Sequence, residues 1–323
     1  MSDIRIGIVG TNFISDLFCE AASTVDGVIV AAVYSRKFDT GSAFASKHGI
    51  KTVFCDYSEM ISSNLIDAVY VASPTFLHRD HTVAALECGK HVLCEKSIST
   101  TAAEFADMKS ATSRSGRVLL EAMRPAHDPF YDLVRDELAK LGRVFGASFV
   151  FKKYSSRYDN FKRGIIENAF NPALKNSALS DIGVYPMWLA IALFGSPDSV
   201  TSVSKRLSNG FDADGAVTLR YPDFECHVEY SKIADSTAPS VIKCELGELR
   251  IDKVSEPGAL TVVTENATKI IKHPTPCNNN MIFELVRFRD MILGKCDFRP
   301  FLDITEHLVG AMDLAVENAV YIE

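Results

Sequence analysis

The chain has 323 residues, 47% hydrophobic, 23% charged and 10% aromatic, and its 34 Lys plus Arg against 41 Asp plus Glu leave a net charge of -7. That composition excludes disordered, collagen-like and coiled-coil classes, and the lack of any basic block argues against a nucleic-acid or anionic-membrane partner. A single core rarely grows beyond about 250–300 residues, so two domains are expected, and no apolar stretch reaches the roughly 20 residues of a membrane span.

Residues 1–122 alternate strand and helix. Ile4-Arg-Ile-Gly-Ile-Val9 is a nearly continuous apolar run, as in a strand buried on both faces. Helical spacing follows through Ile14, Leu17, Phe18, Ala21 and Ala22, then a strand over 28–33 and a helix over 39–47 closed by Gly49. Ala68 to Val71 reads as a strand stopped by Ser73-Pro74, and His78 to Cys88 as a helix capped by Gly89. Short strands at His91 to Cys94 and Val118 to Glu121 flank a helix over 101–115. Repeated β-α-β units predict a parallel, doubly wound sheet.

The pattern changes after Arg124. Val144 to Phe151 is β-rich, and Phe224, Cys226, Val228 and Tyr230 alternate with polar residues, the period of a half-buried antiparallel strand whose partner holds Val217, Leu219 and Tyr221. Short strands follow around Val241, Leu249, Val262 and Ile270. Met281, Ile282, Leu285, Val286, Phe288 and Ile292 have helical spacing, and Asp303-Ile-Thr-Glu306 is placed to cap a last helix. The second half is thus an α+β domain with a mainly antiparallel sheet. The eight cysteines include no C-x-x-C pair, and Met1 to Glu20 lacks the basic-then-apolar layout of a signal peptide. Reduced, mostly buried thiols in a cytoplasmic protein are expected.

Four short motifs carry chemistry. Gly7-Ile-Val-Gly10-Thr11-Asn12-Phe13-Ile14-Ser15 follows a strand and opens a helix, the context of a dinucleotide fingerprint. Gly10 takes the tight turn, Asn12 stands where a second glycine is usual but tolerates a left-handed backbone, and Ser15 is the small packing residue; without a ligand this is an ordinary βα turn. Ser35-Arg36-Lys37 ends the second strand, where a cationic, small polar set suits a 2′-phosphate and so NADP(H) over NAD(H); the alternative is a solvated basic turn. Glu95-Lys96-Ser97 lies at the carboxyl end of a parallel strand, where a lysine polarises a substrate oxygen or simply forms a surface ion pair. Asp181-Ile-Gly-Val-Tyr185, if helical, puts both side chains on one face, and a Tyr beside a Lys cation suits acid–base work; otherwise Asp181 is an N-cap and Tyr185 a core aromatic.

Together these residues resemble the Gfo/Idh/MocA family of NAD(P)-dependent oxidoreductases over nearly the whole chain. The resemblance rests on the Gly10 turn, Ala32 to Arg36, Pro74 to His78, Ala84 to Lys96, Glu121 to Met123, Asn171-Pro172, Asp181 to Pro186 and Gly247 to Ile251. It implies a Rossmann domain over 1–122 and a substrate-binding and dimerisation α/β domain over 123–323, whose open sheet supports a homodimer or higher homo-oligomer. Lys96 falls on the family's catalytic lysine, and Asp181 and Tyr185 on its second active-site motif. Many members have His at position 185 and Asp three residues later, where this chain has Trp188. The Tyr form resembles the branch of glucose–fructose oxidoreductase and dimeric dihydrodiol dehydrogenase.

Ser73, Pro74, Thr75, His78 and Glu95 are then expected to line the nicotinamide side, with His78 alternatively capping a helix. Arg124, His127, Tyr158 and Asn171 are weaker substrate-contact candidates near a cleft, with a structural role equally open for each. Ser97 replaces a family proline that is often cis; a cis non-proline bond costs about 3–4 kcal/mol, which allows a trans peptide and a displaced Lys96. Lys175-Asn-Ser177 replaces a Gly-rich stretch and so allows a narrowed pocket. The expected activity is hydride transfer between NADP(H) and a CH–OH or C=O group of a sugar-like or diol substrate, without metal. The rival is an NAD(P)-binding regulator or sensor with little catalysis.

Overall fold

The computed structural model describes residues 3–322. In chain order its first elements are β1 (Ile4–Val9), α1 (Phe13–Ala22), β2 (Val28–Tyr34), α2 (Phe38–His48), β3 (Thr52–Phe54), α3 (Tyr57–Ser62), β4 (Ala68–Val71), α4 (His78–Glu87), β5 (His91–Glu95), α5 (Ala102–Ser115) and β6 (Leu119–Ala122). There follow α6 (Phe130–Leu138), β7 (Val144–Lys152), α7 (Ser156–Lys162), α8 (Val184–Phe194), β8 (Ser199–Arg206), β9 (Asp212–Arg220), β10 (Glu225–Ser231), β11 (Ser240–Cys244), β12 (Gly247–Ile251), β13 (Ala259–Val263) and β14 (Thr268–Lys272). The chain closes with α9 (Met281–Ile292), α10 (Arg299–Glu317) and β15 (Ala319–Ile322).

Two compact units result, residues 1–127 with 278–303 and residues 128–277 with 304–323. In the first, six parallel strands run β3-β2-β1-β4-β5-β6. Every residue of β4 and β6 is buried, which fits the unbroken apolar run of β4, while β6 buries Glu121 among Leu119, Leu120 and Ala122. Phe18 of α1 stacks on Tyr70 of β4 with ring centroids 3.8 Å apart, joining helix to sheet. The α9 helix packs on this core through Met281, Leu285, Phe288 and Met291. Its apolar stripe was legible from periodicity; its membership in the first unit was not, because periodicity says which face is apolar and not what covers it.

In the second unit nine strands run β14-β13-β12-β11-β7-β10-β9-β8-β15. The predicted β9–β10 pair is antiparallel, with Val217 opposite Val228 and Leu219 opposite Cys226. Only β10–β7 and β15–β8 pair parallel. The expected cap at Asp303 is not formed. The α10 helix begins four residues earlier at Arg299, whose amide donates to Asp297 Oδ1 at 3.0 Å, so Asp303 lies inside the helix. All eight cysteines are free; Cys19, Cys94, Cys226 and Cys244 are buried as expected, but Cys55, Cys88 and Cys277 are exposed. No helix among the described residues is long and apolar enough to cross a membrane.

Candidate active site

In the first unit the carboxyl ends of β2, β1, β4 and β5 share one sheet edge, and the strand order reverses between β1 and β4. Open parallel sheets bind ligands at such an edge. The Gly10 turn, Ser35-Arg36, Ser73 to Thr75 and Glu95-Lys96 therefore follow four successive strands along it. Gly10 has φ +108°, and a Cβ there would lie 2.5 Å from Ala72 O, so only glycine fits. Asn12 is extended, at φ -93° and ψ 179°, rather than left-handed. Its side chain explains the residue choice: Oδ1 accepts from the Ile14 and Ser15 amides at 3.0 and 3.3 Å, and Nδ2 donates to Ala72 O at 3.0 Å. Asn12 is thus the N-cap of α1 and ties the first turn to the end of β4. Phe13 is exposed, and Thr11 and Ile14 are half-buried. At the end of β2 the Ser35 hydroxyl donates to Lys37 O at 2.9 Å and shapes the turn, while Arg36 is exposed.

The ends of β4 and β5 are bound to each other. His78, the first residue of α4, is buried, with Nδ1 3.0 Å from Ser97 O and Nε2 2.8 Å from Ser73 O. Burial pushes its pKa down to about 4, although both carbonyls favour the cation. The neutral ring donates to one of them and holds the two loops together, a tie rather than a helix cap. Ser73 Oγ also pairs with His81 Nδ1 at 2.9 Å. Glu95 is buried and accepts from the Tyr70 hydroxyl at 2.5 Å and from the Lys96 amide at 3.2 Å. Burial raises its pKa against those bonds. The Lys96–Ser97 peptide is cis, which corrects the allowance made for a trans bond. Two further acids support this corner. Glu121 Oε1 accepts from the Ile98 amide at 3.1 Å. Glu284 of α9 is fully buried, and burial, with Glu95 nearby, pushes its carboxyl pKa up.

In the second unit the segment Leu179–Gly183 is a π-helical turn leading into α8. Such turns recur at functional sites. The sheet below forms it: Leu179 N donates to Asp212 Oδ2 at 3.3 Å, and a Cβ at Gly183 would lie 3.0 Å from the Tyr230 ring. Asp181 is therefore no N-cap; its carboxylate, 44% exposed, pairs with Lys232 Nζ at 2.7 Å. Tyr185 is 6% exposed and meets Phe151 edge-on at 5.7 Å. Lys232 was missed, yet a signal existed: it continues the inward series Cys226, Val228, Tyr230 at period two. Trp188 is buried against Tyr131 at 5.1 Å and serves packing.

The four weaker candidates divide. Arg124 Nη1 donates to Asn280 Oδ1 at 3.1 Å. His127 is buried against Phe301 at 4.9 Å, and burial drives its pKa down to about 3. Tyr158 stacks between Phe161 and Phe170 at 6.1 and 6.0 Å. Asn171 Oδ1 accepts from Ala173 N at 3.0 Å and turns its own loop. In the stretch that replaces the family's Gly-rich segment, Lys175 takes the left-handed backbone at φ 55°. No group of three or more His, Cys, Asp or Glu among the described residues is placed to hold a metal ion.

Residues 4–123 match the model of an oxidoreductase family with an NAD-binding Rossmann fold, and residues 139–250 match the Gfo/Idh/MocA C-terminal domain. The chain belongs to the Gfo/Idh/MocA oxidoreductase family. It is 42% identical over 254 residues to the scyllo-inositol 2-dehydrogenase (NADP(+)) of Bacillus subtilis, covering 79% of this chain and 77% of that one. It is 26% identical to the trans-1,2-dihydrobenzene-1,2-diol dehydrogenase of Xenopus laevis over 97% of both chains. Among solved structures it superposes on KijD10, a 3-ketoreductase from Actinomadura kijaniata, with a TM-score of 0.89 at 20% identity over 100% of both chains, which is likeness of fold.

Proposed function

We propose that this family member is an NADP-dependent dehydrogenase or reductase acting on a CH–OH or C=O group of a ring-shaped polyol, sugar or diol. The observation that carries the reading is the alignment of the Gly10 turn, Ser35-Arg36, Ser73 to Thr75 and Glu95-Lys96 along one sheet edge. A dinucleotide fits these residues: the Gly10 turn is too tight for any side chain, and Arg36 is an exposed cation beside a serine turn. The Bacillus subtilis relative's name, with its NADP(+) and inositol, supports the same cofactor and substrate class, as does the dihydrodiol substrate of the Xenopus laevis relative. When bound, the nicotinamide supplies or accepts the hydride.

The chain's own residues supply the rest. Thr11 to Ile14 would approach the pyrophosphate, and Arg36 the 2′-phosphate. Ser73 to Thr75 would border the nicotinamide, in loops that His78 and Glu95 position from beneath. Lys96 polarises the reacting oxygen, Tyr185 gives or takes its proton, and Asp181 orients the neighbouring hydroxyls. Lys96→Met and Tyr185→Phe are each expected to cut turnover by about two orders of magnitude or more while NADPH binding stays nearly intact. Equal loss of binding and turnover sinks the catalytic assignments. Arg36→Ala is expected to erode the preference for NADPH over NADH in direct titrations; an unchanged preference removes the 2′-phosphate assignment. We also propose a homodimer through the nine-stranded sheet, supported by Val203 and its strand neighbour Val320, which are 43% and 61% exposed in the single chain.

A further inference from the structure

Lys232 directly follows β10, one position past Ser231, and continues the inward period of Cys226, Val228 and Tyr230 with a buried lysine. The side chain is 6% exposed. Its ammonium lies 2.7 Å from Asp181 Oδ2 and donates to Ala169 O at 3.1 Å. It also sits over the Phe170 ring at 4.9 Å and the Phe211 ring at 5.5 Å. The backbone at this point is held as well, since Lys232 N donates to Ala213 O and Lys232 O accepts from Ser155 N, both at 2.9 Å. Three features thus meet at one nitrogen: the π-turn carboxylate, the 168–170 turn, and the aromatic cluster of Phe170 and Phe211 into which Tyr158 and Phe161 pack.

A buried ammonium is costly unless paired, and breaking such a pair leaves an uncompensated charge. The carboxylate that satisfies it remains 44% exposed, while Lys232 sets its direction from the buried side. We propose that Lys232 is a positioning residue, whose ammonium fixes the Asp181 carboxylate and the Ala169–Phe170 turn as one rigid acceptor for substrate hydroxyls. The inference rests on the reading of Asp181 as the residue that orients those hydroxyls.

The pairing also selects among substrates. A lone carboxylate would attract a cationic ligand such as an amino sugar. Neutralised by Lys232, Asp181 keeps its hydrogen-bond acceptors but loses most of its net field, which suits a neutral polyol.

The test is a double-mutant cycle on the full-length protein, with scyllo-inositol and D-xylose as probes, NADP+ in excess, and KM and kcat read separately. Asp181→Asn is expected to raise KM by about ten- to a hundredfold, the range for a hydrogen bond to a charged group. Lys232→Met keeps the apolar stem against Phe170 and Phe211 and is expected to raise KM comparably with a smaller change in kcat. Lys232→Arg should recover much of the loss, and the double variant should be no worse than Asp181→Asn alone. An unchanged KM in Lys232→Met beside a raised KM in Asp181→Asn overturns the inference, as do losses that multiply in the double variant. An Asp181→Asn variant with normal KM removes the assigned role of Asp181 instead. Amide hydrogen exchange provides a readout independent of substrate: Lys232→Met should speed exchange across residues 168–183, and Lys232→Arg should not. If neither probe is turned over by the wild type, that comparison decides, and unchanged exchange in Lys232→Met refutes the proposal.

Discussion

Gly10→Ala gives a sharp test of how the cofactor edge is built. The new Cβ would stand 2.5 Å from Ala72 O and 3.0 Å from Ala72 C, where ordinary contact begins at 3.4 Å, so the turn and the end of β4 must separate by about 0.9 Å (3.4 minus 2.5). Ala72 O is the acceptor for Asn12 Nδ2 at 3.0 Å, and Ala72 N donates to Val9 O at 2.9 Å, so the separation strains both bonds. The positive φ costs a residue with a Cβ about 1–2 kcal/mol, and one weakened hydrogen bond about 1 kcal/mol. A stability loss of roughly 2–3 kcal/mol should appear as a fall in Tm of about 5–10 °C. Scanning calorimetry without ligand measures that term, and quenching of tyrosine and Trp188 emission during an NADPH titration measures binding. The expected result is both a lower Tm and a weaker NADPH Kd. A variant with wild-type Tm and wild-type Kd refutes the reasoning, because it would mean that the turn relaxes freely and that no ligand depends on its shape.

Two further outcomes follow from burial and exposure. Burial depresses the pKa values of His78 to about 4 and His127 to about 3, below the roughly 6.5 of an unfolded histidine. The unfolded chain therefore binds more protons as pH falls below about 6.5, and the stability present above that pH is lost progressively down to the folded values. Urea unfolding between pH 7 and 4 should show this slope, and His127→Phe, which keeps an aromatic ring against Phe301, should flatten it; an unchanged slope contradicts the assignment. For the proposed sheet dimer, Val203→Glu should shift sedimentation from dimer toward monomer, and a monomeric wild type removes the proposal.

Much of the cofactor edge was legible because local pattern and chemistry coincide there. A strand buried on both faces shows as an apolar run, and the residue after it falls at the carboxyl edge by topology alone. Gly10, Arg36 and Lys96 thus fall at that edge from the strand pattern alone. The identity of Asn12 suggests a left-handed backbone, whereas the residue is extended and its amide group caps α1 and bonds Ala72. Only β4 could supply that partner, 60 residues away in the chain.

Sequence by itself determined the family, the strand–helix alternation of residues 1–122 and the paired alternation of β9 and β10. These are periodic or local properties, written within a few residues of one another. Tertiary structure alone decided that α9 covers the first core, that Asp181 faces Lys232, that His78 ties Ser73 to Ser97, and that His127 packs on Phe301. Each depends on which distant groups meet in a space closed to water, where an unpaired charge or carbonyl is expensive. The net charge of -7 argues against a nucleic-acid partner, but it could not show that a buried lysine balances Asp181. That balance is set by desolvation, and desolvation exists only once the chain has folded.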